Sequence, residues 1–296
     1  MKKVFAILAI CGLLAIIATS GITLLTGEDT KSVKDWKDYS LTLVDNSLDK
    51  KADAYVKVLT PLLIQKNKHL PQQFAVYAKG KIEGVEVSLI DENDNGKYDE
   101  IGTDVIVIGN SRYGVPLSRI INIKNNLYEC NVASGGEKVS LKPYEGEYGV
   151  LDFISNFKCP SKLNLAILNS DDIYIDVANN KKVPMPSGVY KLWLGYIEEG
   201  TSHVAIKKNE MEGIEIKEEL DKEGQRKVTV LNWGADFRID FEVTVKNDKV
   251  EVPYGSLRVY GNAKEEYYKF IASLFPQVEV FDSKGILVAK GAFSGC

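Results

Sequence analysis

From Gln72 to the end of the chain, apolar and polar residues alternate in short runs broken by Gly, Asn, Asp and Pro. This pattern constrains the fold more than any other feature. Successive strand side chains point to opposite faces, so a period of two puts one set in a core and leaves the other outside. The runs at 73–79, 84–90, 104–109, 127–132, 188–197, 203–207, 277–282 and 286–293 are rich in Val, Ile, Leu, Tyr and Phe, the residues that suit a pleated surface. Many short strands with frequent turn signals predict a mainly β protein of one or two β-sandwich domains.

Two segments depart from that period. Ala52, Tyr55, Val56, Leu59 and Leu63 recur near helical spacing within Leu48–Lys66, and Pro61 makes a kinked or shortened helix the expectation there. Residues 27–50 are polar and read as a linker into the fold, and Ala263–Leu274, ending before Pro276, reads as a second helix. The expected layout is a linker and short helical segment over 21–70, a β domain over 71–160 and a second β region over 161–296.

The N-terminus has the order of an export signal. Lys2 and Lys3 precede an apolar run, Val4–Ile17, and Ala18-Thr19-Ser20 offers small residues before Gly21. This predicts a signal peptide over 1–20 and a secreted, periplasmic or cell-envelope protein. The alternative is a membrane anchor through residues 4–25, because Ile22–Leu25 prolongs the apolar stretch. Leu8-Ala9-Ile10-Cys11 only loosely resembles a lipoprotein box, since Ile10 is not small and the chain stays apolar after Cys11.

The chain carries 37 basic and 41 acidic residues, and cleavage after Ser20 leaves 35 against 41. That balance argues against nucleic acid as a partner, and a membrane becomes one only if the N-terminal segment is retained. Cys130 and Cys159 both fall on apolar strand phases. A bridge between them would stabilise by about 3.6 kcal/mol in the chain-entropy model; the other reading is two buried thiols. Cys296 is terminal and has little to hold a bridge.

One segment carries chemistry. Asp91-Glu92-Asn93-Asp94-Asn95-Gly96-Lys97-Tyr98-Asp99 places oxygen side chains at positions 1, 3, 5 and 9, with Gly at 6. Calcium is a hard ion that takes six to eight oxygens. The expected ligands are Asp91, Asn93, Asn95, the Lys97 carbonyl and Asp99, with Asp104 either an added ligand or the opening of the next strand. The competing reading is a solvated hairpin turn, because Asn-Gly favours turns on its own account. Two Asn in place of Asp imply weak affinity, on the order of 10⁻⁴ M.

The segment departs from the EF-hand pattern, which wants Glu at position 12 where this chain has Gly102. Val85, Val87 and Leu89 alternate before it and Asp104–Ile108 reads as a strand after it. It therefore resembles the strand-loop-strand calcium sites of integrin α-subunits, whose pattern ends on an acidic residue at position 9. In the C-terminal half, Val183-Pro184-Met185-Pro186-Ser187-Gly188-Val189-Tyr190-Lys191-Leu192 and Val278–Val288 resemble immunoglobulin-like and prealbumin-like β-sandwiches. The chain as a whole is similar in texture to secreted bacterial proteins. These resemblances imply a sandwich and no activity.

No nucleophile elbow, zinc-protease helix, P-loop or dinucleotide fingerprint is present. His69 and His203 are the only histidines and read as surface or satisfied residues. Asp171-Asp172 and Glu198-Glu199 are neighbours that would point to opposite faces of a strand, and Glu145 and Glu147 read as a solvated turn. The expected function is an exported, calcium-stabilised β-sandwich module, binding a protein or glycan or serving structurally at the cell envelope. The alternatives are an exported glycan-acting hydrolase and a membrane-anchored component of an envelope complex.

Overall fold

A computed structural model of the chain describes residues 35–48, 55–159, 161–246, 249–271 and 277–292. The expected export or anchor segment, Cys11 and Cys296 lie outside them. Strands account for 53% and helix for 3%, so the protein is mainly β. Among the described residues no helix is long and apolar enough to cross a membrane.

The first ten strands are β1 (Lys37–Asp45), β2 (Val56–Val58), β3 (Gln72–Phe74), β4 (Val76–Ile82), β5 (Val85–Ile90), β6 (Val105–Ile108), β7 (Val115–Pro116), β8 (Ile120–Ile123), β9 (Asn126–Val132) and β10 (Lys138–Pro143). One helix, α1 (Pro61–Gln65), lies between β2 and β3. An eight-stranded sheet runs β7-β6-β5-β4-β1-β10-β9-β8. Its pivot is β1, which changes partner along its length. Lys37–Ser40 pairs with β10 and Leu41–Asp45 pairs with β4. At that switch Gly80 is needed for space, since a Cβ there would meet Leu41 Cδ2 at 2.4 Å and Ser40 O at 2.9 Å. Both halves of the sheet contribute to one core, with Ala78, Leu89 and Ile106 from one side and Ile121, Val139 and Leu141 from the other.

The expectation of a linker over 27–50 is thus overturned for its described part. Its polar residues are the outer face of a strand whose Leu41 is buried; Asp38, for instance, accepts from Ser140 Oγ at 2.6 Å. The helix expected over 48–66 shrinks to α1, while Val56–Val58 pairs with β3; residues 49–54 lie outside the described set. Pro61 starts the helix instead of kinking it, and Thr60 caps it by accepting from Leu63 N at 3.3 Å. Tertiary burial decides this segment. Val58 packs on the outer face of the first sheet with Tyr77 and Val105. Leu59, Leu63 and Ile64 cover a face of the second sheet.

The remaining strands are β11 (Tyr148–Asp152), β12 (Phe157–Lys158), β13 (Leu163–Ser170), β14 (Ile173–Asp176), β15 (Val183–Pro186), β16 (Gly188–Glu199), β17 (Ser202–Lys207), β18 (Ile214–Ile216), β19 (Val228–Val230), β20 (Trp233–Gly234), β21 (Arg238–Asp240), β22 (Thr244–Lys246), β23 (Lys249–Glu251), β24 (Arg258–Tyr260), β25 (Glu266–Ile271), β26 (Gln277–Phe281) and β27 (Leu287–Ala292). A second large sheet runs β14-β13-β16-β17-β25-β24-β21, with β18 beside β16. Its central strands are buried on both faces: Leu165, Ile167 and Leu194 meet α1, while Ala166, Leu168 and Leu192 meet the opposite layer. That layer includes the parallel pairings of β11 with β19 and of β12 with β20. Here Trp233 lies between Phe153 and Phe157, at centroid distances of 4.4 and 4.2 Å, and its indole N–H donates to Phe153 O at 2.7 Å.

The second expected helix, 263–274, is also corrected: Glu266–Ile271 is strand β25, hydrogen-bonded to β17. Tyr267, Tyr268, Phe270 and Ile271 favour a pleated surface over a helix. A register shift between His203 and Ala205, with Lys269 at φ 56°, bulges the strand. Glu265, fully buried at the start of this strand, accepts from Gly234 N, Ala263 N and the Tyr267 hydroxyl at 2.8, 3.0 and 3.1 Å. Cys130 and Cys159 are free thiols packed on different cores.

Candidate metal centre

The loop at 91–104 joins β5 to β6, which pair antiparallel. Asp91 organises its first turn: Oδ1 accepts from Asn95 N at 3.2 Å and Oδ2 from Gly96 N at 2.6 Å. Gly96 has φ 80°, a left-handed conformation that glycine adopts without steric cost. Asn95 Oδ1 accepts from Lys97 N at 2.9 Å. The carboxamides of Asn93 and Asn95 both donate to Glu100 Oε2, at 2.8 and 2.6 Å. Asp91, Asn93 and Asn95 therefore gather with Glu100, at position 10 of the loop. Asp99 turns elsewhere, accepting from Ser134 Oγ at 3.1 Å. Tyr98, beside it, is buried in the first core and donates its backbone N–H to Ser134 O at 2.9 Å. Lys97 is exposed.

The end of the loop folds back in a short turn, with Asp104 N donating to Glu100 O at 2.9 Å. Asp104 itself is 1% exposed. Its Oδ2 accepts from Glu100 N at 2.8 Å, while its Oδ1 is buried with no hydrogen-bond partner. Burial, with the Asp91 and Glu100 charges added and against the backbone N–H groups of Glu100 and Glu92, pushes its carboxyl up to about 6. Glu100 is held below the usual carboxylate range by the two asparagine amides. Glu92 rises through burial; its Oε1 accepts from Thr60 Oγ1 at 2.7 Å and its Oε2 has no partner.

Among the described residues no three carboxylate, imidazole or thiol groups stand together as a ready metal site. The donor set is nevertheless one of hard oxygens: carboxylates of Asp91, Glu100 and Asp104 with carboxamides of Asn93 and Asn95. Such groups suit calcium and not a soft transition metal. The loop's own amides now occupy several of these oxygens, so a cation would replace internal hydrogen bonds with ligand bonds, and Asn93 and Asn95 would present their carbonyl oxygens. Glu100 escaped the sequence reading because it lies outside the nine-residue pattern. The acidic residue before the apolar run, Asp104, was the available signal.

A second polar cluster was hidden from the sequence. His69, after α1, and His203, on β17, lie with ring centroids 3.4 Å apart and tilted by 34°. The fully buried Tyr196 is within 6.4 Å of both rings. His69 Nδ1, His203 Nε2 and the Tyr196 hydroxyl are buried without hydrogen-bond partners. Glu198 accepts from the Tyr113 hydroxyl at 3.0 Å and pairs with Arg112 at 3.1 Å. Burial lowers both imidazoles; the other ring and Lys269 lower His69 further, against Glu198.

The paired carboxylates of the sequence do not form acid–base pairs. Asp172 pairs with Arg119 at 2.9 Å, Glu199 accepts from Ser161, and Glu145 and Glu147 are exposed on the β10–β11 connection. Compared with family models, curated proteins and solved structures, the chain matches none.

Proposed function

We propose that this chain is an exported, calcium-stabilised module with a binding or structural role at the cell envelope. The reading carries forward one or two β-sandwich domains, with β domains over 71–160 and 161–296. The observation that carries it is the 91–104 loop, where the carboxamides of Asn93 and Asn95 gather on the Glu100 carboxylate and the buried Asp104 carboxylate holds the Glu100 backbone. A calcium ion drawing on Asp91, Asn93, Asn95 and Glu100, with water and with Asp104 as an added ligand, would tie β5 to β6 by closing the loop carboxylates, which now stand apart, around it. The Lys97 carbonyl belongs to the candidate set, and Asp99 would join it only by leaving Ser134. Such an ion orders a loop and performs no catalysis. The partner is a protein or a glycan, not nucleic acid, and a membrane enters only through a retained N-terminal segment. The hydrolase reading is weaker, because the carboxylate pairs singled out in the sequence are engaged elsewhere or exposed on a turn.

The test is thermal melting with 1 mM calcium and with chelator. With Kd on the order of 10⁻⁴ M, calcium adds about 1.4 kcal/mol, a rise of about 3–5 °C for a chain of this size. Asp91→Ala lowers the melting temperature in both buffers, because it also frees two loop amides. The calcium-dependent difference is therefore the readout, and it vanishes in the variant. Equal melting of the wild type in both buffers defeats the reading.

A further inference from the structure

A cleft of about 300 Å³ opens where the two opposite edges of the first sheet, β6–β7 and β8, approach β14 of the second. Its walls come from the β6–β7 connection, the β8–β9 turn and the segment after β14. Ile108, Ser111, Tyr113 and Asn179 also line a neighbouring hollow of about 420 Å³, so the two hollows form one groove. The lining is unusual in chemistry. Asn122, Asn125, Asn179 and Asn180 line the first hollow, and Asn110 and Asn164 line the second. Tyr113 and Tyr174 contribute half-buried rings. The first hollow sits at the lower end of the roughly 300–1,000 Å³ that small-ligand sites occupy.

The charged groups of the groove are largely engaged within the protein. Arg112 pairs with Glu198 at 3.1 Å, and Lys124 Nζ donates to Glu83 O at 2.9 Å. Asp176 accepts from the amides of Ala166 and Ala178 at 3.0 Å and from Asn179 Nδ2 at 2.8 Å. What faces a ligand is therefore a mixed wall: the apolar side chains of Ile108, Ile121 and Val183 beside carboxamides, of which Asn122 and Asn179 keep one amide hydrogen each on Pro184 O and Asp176. A carboxamide donates and accepts at once, as does each hydroxyl of a sugar, while tyrosine rings offer apolar faces to sugar C–H groups. An apolar ligand would leave the amides unsatisfied. A strongly anionic one would meet the Asp176 carboxylate in the first hollow and an Arg112 already paired with Glu198, leaving Lys162 of the second hollow as an exposed cation among the lining residues.

We infer that this asparagine- and tyrosine-lined groove binds a neutral oligosaccharide. The inference deepens the binding role proposed above and is tested apart from calcium. The ¹⁵N-labelled protein is titrated with chitohexaose, cellohexaose and maltohexaose, each to millimolar concentration, in calcium buffer. At least one of them shifts the side-chain carboxamide signals of Asn122, Asn125, Asn179 and Asn180 in a saturable way. An Asn110→Ala/Asn180→Ala double variant, altering two exposed residues, weakens that binding at least tenfold without changing the melting temperature. If that variant melts lower, the wild-type carboxamide shifts alone decide. Three hexasaccharides that leave those signals unmoved overturn the inference, and so does binding that shifts signals elsewhere on the protein. A response only to a sulfated oligosaccharide overturns it too. Any of these failures, with calcium-dependent melting intact, removes the saccharide site and leaves the calcium reading standing.

Discussion

Glu265→Leu is the most exacting test of how the second sheet is held. The wild-type carboxylate is fully buried and accepts three hydrogen bonds, from Gly234 N, Ala263 N and the Tyr267 hydroxyl. It thereby joins β20, the turn before β25, and β25 itself. Gly261 is part of the same arrangement, since a Cβ there would meet Glu265 Oε1 at 1.9 Å. Leucine is similar in bulk but accepts nothing. Each buried donor left unsatisfied costs about 1–3 kcal/mol, so three cost about 3–9 kcal/mol. Part of this is offset because burial disfavours the ionised carboxylate, which its raised pKa reports. The net loss is about 2–5 kcal/mol, or a fall in melting temperature of about 5–15 °C. Glu265→Gln keeps an acceptor for Gly234 and Tyr267 but turns a donor towards Ala263, and loses only about 1–2 kcal/mol. Urea denaturation at pH 7, followed by tryptophan fluorescence, reads both, because Trp233 packs beside Gly234. A Glu265→Leu midpoint within about 0.5 kcal/mol of wild type would refute the reasoning.

Two more outcomes follow from the same packing. The imidazoles of His69 and His203 are held below their ordinary value, with Tyr196 and Glu198 on β16, Lys269 on β25, and Arg112 and Tyr113 from the β6–β7 connection around them. The folded state then binds fewer protons than the unfolded one. Stability from this pair is complete above about pH 6.5 and declines as pH falls through that value. Between pH 7.5 and 5.5 the wild type therefore loses more denaturation free energy than His69→Gln/His203→Gln, and parallel profiles would contradict this. Cys130 and Cys159 are free, so a reductant leaves the melting temperature unchanged. In a thiol-labelling time course Cys130, whose thiol burial pushes up to about 12, reacts more slowly than Cys159; a reductant-sensitive melt would show a bridge instead.

The candidate loop shows how far a local pattern can be read. Asp91, Asn93 and Asn95 were legible because alternate residues on a tight turn share one side, a matter of backbone geometry over five positions. Asp104 was open to two readings, added ligand or start of the next strand, and Glu100 was not legible at all, because its arrival depends on the turn after Tyr98. Burial of Tyr98 under Gly136, where a Cβ would lie 2.8 Å from the ring, helps set that turn. The paired histidines were wholly hidden. Each looks ordinary in its own segment, and only the docking of α1 against β16 and β17 brings them together.

The sequence by itself determined the mainly β character, because the period of two and the turn residues act through each residue's own backbone and nearest neighbours. It also set the balance of charge and the oxygen-rich bend after β5. Tertiary structure decided the rest. Residues 37–45 became a central strand and 266–271 another because burial by distant segments outweighed weak local preference. The groove between the sheets and the histidine contact have the same origin: both exist only where two faces meet, and no local pattern records which faces those will be.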